Sequence, residues 1–283
     1  MVKQLNFDNE NKLKITCEHV PVSVSIFSNV PGYDIEPIFL CNESPELLIN
    51  DFTNELYIIS QKAKKLMEPK YKLFFDCIKQ LLEIAHSKYE SICESENPDP
   101  KIVEYCRLAI QGLDSLEYQL KSWVYTLPII SFNGSKYDIN LMKQYLFKSL
   151  NDLEEEVFFS IKKANSYMSI KTNHLQFLDI RSYLAPNYSY DAFIKAYKCK
   201  LEKGFFPYDW FNDYEKINNT ELPPHEVFFS KMKNANISED EYQVCVNAWK
   251  NNNMKTFKDF LEWYNNLDVL PFIEALGKMK TFY

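Results

Sequence analysis

The chain has 283 residues and a formal net charge of −7, with 46% hydrophobic and 16% aromatic residues. This composition excludes a disordered chain and supplies enough apolar side chains for a sizeable core, in one large domain or two small ones. The acidic balance gives no overall basic field, so any contact with nucleic acid requires a local basic patch or metal ions that offset carboxylates.

Cysteine usage and hydropathy indicate a cellular environment. Seven cysteines are scattered along the chain without a Cys-x-x-Cys pair, which argues against a disulfide framework and a zinc ribbon. The chain opens with no basic-then-apolar leader and has no apolar run long enough to span a bilayer. We therefore expect an intracellular protein that is not secreted and has no membrane partner.

Residues 1–43 predict strands. Apolar and small polar residues alternate over residues 19–27, which is typical of a strand with one buried face. Residues 29–32 have the composition of a turn, and residues 38–40 are predicted to form the partner strand. A hairpin is therefore expected near the amino terminus.

Residues 44–126 predict a helical segment. Apolar residues recur at helical spacing, with breaks expected near Pro69 and at residues 97–100, which gives three helices. We interpret this segment as a helical insertion between two strands of one sheet. Its lysine and glutamate residues are expected to form solvated faces, and no chemistry is assigned to it.

Residues 127–283 predict alternating strands and helices. Strands are expected at residues 127–131, 157–161, 167–170 and 176–180, and helices at residues 141–150, 188–196, 239–249 and 256–267, with Ser238 as a cap. Residues 201–225 are expected to be irregular and rich in aromatic side chains. This order predicts an α/β fold, a mixed sheet with flanking helices and a helical insertion.

Asp138 is the first candidate site residue. It follows a turn at the carboxyl end of a predicted strand, where α/β sheets expose side chains to ligands. Two interpretations remain open, because Asn and Asp before a helix also serve as turn formers and caps. A site is favoured by Tyr264 and Asp268, which lie one helical turn apart and so share a helix face.

Three motifs resemble those of the exonuclease region of protein-primed family B DNA polymerases. The second exonuclease motif is similar to Asn133-Gly134-Ser135-Lys136-Tyr137-Asp138, and the third to Tyr264-Asn265-Asn266-Leu267-Asp268. The lysine motif of the protein-primed branch resembles Lys203-Gly204-Phe205-Phe206. The flanking residues are similar to polymerases of Maverick or Polinton transposons and related viruses.

This resemblance implies a ribonuclease H-like fold and 3′→5′ hydrolysis of single-stranded DNA ends. Two Mg²⁺ or Mn²⁺ ions would be held by acidic residues. By resemblance, the metal ligands are Asp138 and Asp268, the residue that orients the attacking water is Tyr264, the phosphate contact is Lys203, and the DNA contacts are Asn133 and Tyr137. The implied setting is a monomer that meets a primer 3′ end, and in some cases a terminal priming protein, at a nuclear, viral or transposon replication site.

The chain departs from the family pattern in three places. The first motif, Asp-x-Glu, has one early match, Asp8-Asn9-Glu10, so either this pair supplies ligands or the motif is absent. Asp179 is followed by Ile180-Arg181 where the family has Ser or Thr and then Leu. The polymerase palm motifs are absent, so we expect an exonuclease fragment of a longer polymerase that does not synthesise DNA by itself. The alternative is a catalytically silent remnant that keeps the fold and at most binds DNA.

Overall fold

Strands and helices occur in successive groups along the chain in this computed structural model, which describes residues 1–7, 15–155, 157 and 159–281. The strands are β1 (Val2–Phe7), β2 (Ile15–His19), β3 (Ser23–Ile26), β4 (Ile38–Cys41), β5 (Leu127–Ser131), β6 (Phe159–Lys163), β7 (Ser166–Lys171) and β8 (Leu175–Asp179). The helices are α1 (Pro45–Cys93), α2 (Pro100–Tyr125), α3 (Asp138–Asp152), α4 (Tyr190–Ala196), α5 (Glu239–Asn251) and α6 (Phe257–Lys280). The α/β class is confirmed.

A mixed four-stranded sheet has the order β5-β8-β7-β6. The β5 and β8 strands are parallel, with Ser131 opposite Asp179 at their carboxyl ends, and the other pairs are antiparallel. On β8, Leu175, Phe177 and Asp179 are buried in alternation, as expected for a strand with one face on the core. The mixed sheet predicted from the sequence is therefore present.

The predicted amino-terminal hairpin is confirmed, because β3 pairs antiparallel with β4. The expectation that the helical segment separates two strands of one sheet is wrong among the described strands, since β4 pairs only with β3 and β5 pairs with β8. The hairpin contributes side chains instead of hydrogen bonds. Ile26 joins Ile49 and Phe52 of α1 and Phe177 of β8 in one buried cluster.

The helical segment contains two helices and not three. The predicted break at residues 97–100 is confirmed, with Asp99 capping α2 by accepting a hydrogen bond from the backbone N–H of Lys101 at 2.9 Å. The predicted break at Pro69 is wrong, because α1 continues through it. The apolar period resumes after Pro69, and Phe75 stacks on Tyr125 of α2 with ring centroids 5.6 Å apart. This packing offsets the hydrogen bond that proline removes.

The carboxyl-terminal helix is longer than predicted. It was expected to end at Leu267, but α6 extends through Pro271 to Lys280. Phe272 and Ala275 are buried against Phe193 of α4, so tertiary packing sustains the helix past the proline. The predicted Ser238 cap is confirmed, since Ser238 and Glu241 form a reciprocal capping box at the start of α5.

Buried clusters on both halves of α6 fix its position. Its first half joins α5 and the aromatic segment after Gly204 through Phe257, Phe260 and Phe211. Its second half joins α4. None of the helices in the described residues combines the length and apolar character that crossing a bilayer requires.

Candidate active site

The turn between β5 and α3 is held by the carboxylate of Asp179. Its oxygens accept hydrogen bonds from the backbone N–H of Asn133 at 2.9 Å, the backbone N–H of Ser135 at 3.2 Å and the Ser135 hydroxyl at 2.6 Å. Asp179 is only 3% exposed. Since it ends the strand parallel to β5, it connects two neighbouring strand ends and fixes the loop that precedes Asp138.

Two residues of this turn are explained by backbone geometry. Asn133 has a φ of 67°, in the left-handed region that Asn tolerates better than most residues. At Gly134 an added Cβ would lie 2.0 Å from Ser131 Oγ. A residue with a side chain would therefore clash with the end of β5 in this turn. The turn-forming interpretation of this motif is therefore confirmed, whereas a capping role for Asp138 is wrong, because α3 begins at Asp138 and its cap residue is Tyr137.

Asp138 and Asp268, which are far apart in the sequence, line one cavity of about 990 Å³. The cavity lies between the carboxyl end of β5, the first turn of α3, strand β3 and helix α6. Two asparagines within the Tyr264–Asp268 motif attach α6 to β3. Asn266 Oδ1 accepts a hydrogen bond from Ser25 Oγ at 2.8 Å, and Asn265 Nδ2 donates to Ser23 Oγ at 3.1 Å.

Both carboxyl groups have raised pKa values. The pKa of Asp138 is raised to about 6. Loss of hydration in the recess is the main cause, and the negative charges of Asp268 and Asp179 contribute to the same rise. The protein atoms around Asp268 raise its pKa to about 6 through partial loss of hydration, although the residue is exposed towards the cavity and the Lys203 ammonium lowers the pKa. At neutral pH the cavity therefore holds two carboxylates with incomplete charge compensation, a condition that favours cation binding.

Lys203 lies in the cavity wall beside Tyr190. Its Nζ is 5.8 Å from the centroid of the Tyr190 ring. The Tyr190 hydroxyl donates hydrogen bonds to the carbonyl oxygens of Leu267 at 3.0 Å and Asp268 at 3.1 Å. Tyr190 therefore connects the start of α4 to the α6 turn that carries Asp268, and it places an aromatic ring beneath the lysine.

Tyr264 is buried and is not among the residues that line the cavity. Its hydroxyl is 2.5 Å from the hydroxyl of Tyr208, which does line the cavity. Burial raises the pKa of Tyr264 well above its ordinary value of 10, so the phenol stays protonated. Of the two tyrosines, Tyr208 is the one in direct contact with the cavity.

Asn133 and Tyr137 also line the cavity. Asn133 Oδ1 accepts a hydrogen bond from Arg181 Nη1 at 2.5 Å, which places a guanidinium in the wall. Tyr137 is 48% exposed, and its hydroxyl is 2.6 Å from His19 Nδ1. The structure therefore brings five predicted residues to one cavity, with Tyr264 one hydrogen bond behind it.

Four residues with a clear part in this arrangement were not predicted as site residues: Asp179, Arg181, Tyr190 and Tyr208. Asp179 ends β8 and Arg181 lies two residues beyond it, and the parallel pairing of β8 with β5, which the sequence does not reveal, brings both strand ends together. Tyr208 belongs to an aromatic run that suggested core packing, and its neighbours Phe206 and Phe211 do pack in the core. For Tyr190 the sequence contained no signal.

The two carboxylates are of the chemical type that binds hard divalent cations, because Mg²⁺ and Mn²⁺ prefer carboxylate oxygens as ligands. Asp138 and Asp268 are the residues that would hold it. Asp8 and Glu10, the candidate first motif, lie outside the described residues. Within the described part of the chain, no group of three or more His, Cys, Asp or Glu side chains is arranged to hold a metal ion.

Comparison with known proteins adds no assignment. No protein-family model, curated protein or solved structure matches this chain. The fold and the cavity define an α/β protein with a paired-carboxylate recess at the carboxyl end of a parallel strand pair.

Proposed function

We propose that this chain is the 3′→5′ exonuclease region of a protein-primed family B DNA polymerase, with a ribonuclease H-like fold. The observation that supports it best is the shared cavity of Asp138 and Asp268, which come from the second and third motifs of the resemblance. The mixed sheet supports the same fold class, since the cavity opens at the carboxyl end of a parallel pair. The substrate would be the 3′ end of single-stranded DNA.

Each residue has a role that its position supports. Asp138 and Asp268 would hold Mg²⁺ or Mn²⁺ through their carboxylate oxygens, and such a cation would supply charge compensation and Lewis acidity for phosphodiester hydrolysis. Lys203 offers an ammonium to the scissile phosphate, and it lines the same cavity as Asp268 and lies close enough to lower the pKa of that carboxyl group. Tyr137 offers an exposed ring on which a base can stack.

Tyr208 and Tyr264, whose hydroxyls are hydrogen-bonded to each other, share one role. Tyr208 touches the cavity, and the buried hydroxyl of Tyr264 holds the Tyr208 hydroxyl by a hydrogen bond. Tyr264 is thus a positioning residue for Tyr208, which orients the attacking water. This assignment shifts the water contact from Tyr264, the residue that the resemblance implies, to its hydrogen-bond partner.

The test is digestion of a 5′-labelled single-stranded oligonucleotide in the presence of Mg²⁺. We expect stepwise shortening from the 3′ end, with a loss of roughly 10²–10³-fold in rate for Asp138→Asn and for Asp268→Asn. Asp152→Asn is the matched control, because Asp152 is the exposed aspartate at the opposite end of α3. Cleavage that persists in both cavity variants contradicts the proposal.

A catalytically silent remnant is the second candidate. It is favoured by the finding that, among the described residues, only two carboxylates and no larger ligand group meet at the cavity. A silent protein would leave the oligonucleotide intact and could still bind it. Fluorescence anisotropy with the same oligonucleotide, together with a Mg²⁺ titration of the melting temperature, separates the two candidates. If the chain is an exonuclease, Mg²⁺ should raise its melting temperature, and Asp138→Asn should abolish that rise.

A further inference from the structure

The helical hairpin extends well beyond the body of the protein. We define the arm as residues 61–93 of α1 together with α2. Seven residues of α1 up to Ser60 are buried, but beyond that point Ile78 is the one buried residue of the helix, and in α2 it is Val124. The arm part of α1 is roughly 50 Å long. In the structure its described contacts are therefore largely those between α1 and α2.

One side of the arm is covered by large apolar side chains that are exposed to solvent. Their exposed fractions run from 40% at Leu66 to 72% at Leu73. We call this side the apolar arm face. It consists of Leu66, Leu73, Phe74, Leu81 and Ile84 from α1 and Ile102, Tyr105, Leu116 and Trp123 from α2.

Helix geometry places both sets on the same side. On each helix the exposed apolar residues are displaced to one side of the line of contact with the other helix, by roughly one-seventh to nearly one-half of a turn, and in an antiparallel pair the two displacements point the same way. Ring contacts at the base of the arm agree with this. The ring of Tyr71 is 4.9 Å from the Trp123 ring and 6.2 Å from the Phe74 ring.

The opposite side of the arm is an ordinary charged surface. It carries Lys72, Asp76, Lys79 and Glu83 of α1 and Glu104, Arg107, Asp114 and Lys121 of α2. Arg107 and Glu104 form an ion pair at 2.6 Å on this side. The apolar arm face is therefore a sided feature, and composition alone does not account for it.

The apolar arm face is large for an isolated protein. The nine side chains expose roughly 1,000 Å² of surface, whereas the largest apolar patch of a typical monomer is about 300–600 Å². A stable dimer buries about 800 Å² per partner. The area available on the arm therefore matches what one dimer interface needs.

The α2 stripe has the spacing of a helix-packing seam. Positions 102, 105, 109, 112, 116, 119 and 123 alternate in steps of three and four residues, and none of them is charged. Ala109 and Gly112 lie at its centre, and a Cβ added at Gly112 would meet nothing within 4 Å. A second helix can therefore approach closely at this point. On α1 the stripe includes Lys70 and Lys88, whose long side chains can extend to the edge of an interface.

We propose that the apolar arm face is the homodimerisation surface of this protein and that its occupant is the same face of a second copy. Two such hairpins packed face to face form an antiparallel four-helix bundle around a twofold axis. The seam at the centre of the face is uncharged, and the exposed area is the size of a dimer interface. Each copy can therefore cover the apolar arm face of the other. This dimer does not depend on the chemistry of the cavity.

Light scattering coupled to size-exclusion chromatography tests the proposal on the full chain. The wild type should have twice the 33.6 kDa mass of one chain. Leu116→Lys should weaken the dimer by at least roughly a hundredfold, because twofold symmetry introduces each buried charge twice. Tyr118→Lys is the control, since Tyr118 is 62% exposed on the same helix but lies between Asp114 and Lys121 on the charged side of the arm.

A second pair of substitutions, together with circular dichroism, tests whether loss of the dimer results from misfolding. Tyr105→Glu lies on the apolar arm face and should give a monomer, whereas Tyr118→Glu lies on the charged side and should stay dimeric. Circular dichroism should be unchanged in all four variants, because every substituted side chain is exposed. A wild-type monomer at all concentrations overturns the proposal, as does a dimer that Leu116→Lys and Tyr105→Glu leave intact. Binding of the monomeric wild type to lipid vesicles or to another protein through this face overturns it as well.

Discussion

The body of the protein, meaning the described residues outside the arm, and the arm itself distribute apolar side chains in opposite ways. In the body, Phe193, Phe257 and Phe260 are fully buried, while the carboxylates Asp138 and Asp268 line a cavity. In the arm, leucines and aromatic rings are exposed along one side. The body buries its core within one chain, whereas the arm leaves large apolar side chains exposed to solvent along one side in the described structure.

The largest expected difference between the body and the arm is the loss of stability when a large apolar side chain is truncated. Phe260→Ala in the body should lower the free energy of unfolding by about 3–5 kcal/mol, because it leaves a cavity among fully buried rings. Leu73→Ala in the arm should change it by no more than about 0.5 kcal/mol when the chain is monomeric, since Leu73 is mostly exposed. Urea denaturation at low protein concentration measures both. Equal losses would contradict the division into body and arm.

Polar networks give the next largest difference. Asp179→Ala should lower the free energy of unfolding by about 2–4 kcal/mol, because the turn before α3 loses several hydrogen bonds to a buried carboxylate. Asp114→Ala, at an exposed position of the arm, is the control and should be close to neutral. Thermal unfolding of the two variants decides the matter. A neutral Asp179→Ala would mean that the turn does not depend on this carboxylate.

Two glycines should respond with opposite signs. Gly204→Ala should destabilise the body by about 1–3 kcal/mol, because the new Cβ would lie 2.8 Å from Leu267 Cδ1. Gly112→Ala should stabilise the monomeric arm by about 1 kcal/mol, because its Cβ meets nothing within 4 Å in the middle of a helix. Denaturant unfolding at low protein concentration gives both values. Effects of the same sign would remove this distinction between the regions.

The smallest expected effect is a pH dependence that originates in the body. Asp138 has a folded-state pKa of about 6 against an ordinary value of 3.8, so the folded protein binds this proton more tightly than the unfolded chain. Its stabilising contribution is complete below pH 3.8 and is lost as the pH rises through about 6. In the presence of EDTA, stability should fall by about 1 kcal/mol across this window, after allowance for solvent screening.

Asp138→Asn tests the source of that pH dependence. The variant should reduce the slope of the curve without abolishing it, because it removes one titrating group while Asp268, whose pKa is also raised to about 6, remains. Exposed carboxylates of the arm should contribute little, since solvent screens them. A curve that is unchanged in Asp138→Asn would place the dependence elsewhere. Melting temperatures recorded across the window, with EDTA present throughout, measure the effect.

Local sequence patterns predicted much of the body correctly. The apolar run at residues 127–131, the turn after it and the Ser238 cap each correspond to a local structure that those residues specify by themselves. The location of Tyr264 and Asp268 on one helix, one turn apart, was likewise predicted from their spacing alone. What local pattern did not reveal is the rotation of α6 that turns Asp268 towards the cavity and Tyr264 into the core, because distant packing sets that rotation.

The errors also have physical causes. Pro69 suggested a helix break, yet α1 continues because contacts with α2 on both sides of the proline hold it together. The end predicted at Leu267 failed for the same reason, since Phe272 and Ala275 pack against α4.

Helix α1 is a single rod that belongs to both regions. Its early residues Leu48, Ile49 and Phe52 form part of the cavity wall, and its later residues form half of the apolar arm face. Over roughly 70 Å, a small tilt at the far end becomes a displacement at the near end. Clamping two such levers together would hold both recesses at a fixed separation and orientation, so that one pair of copies presents two openings as a single geometric unit.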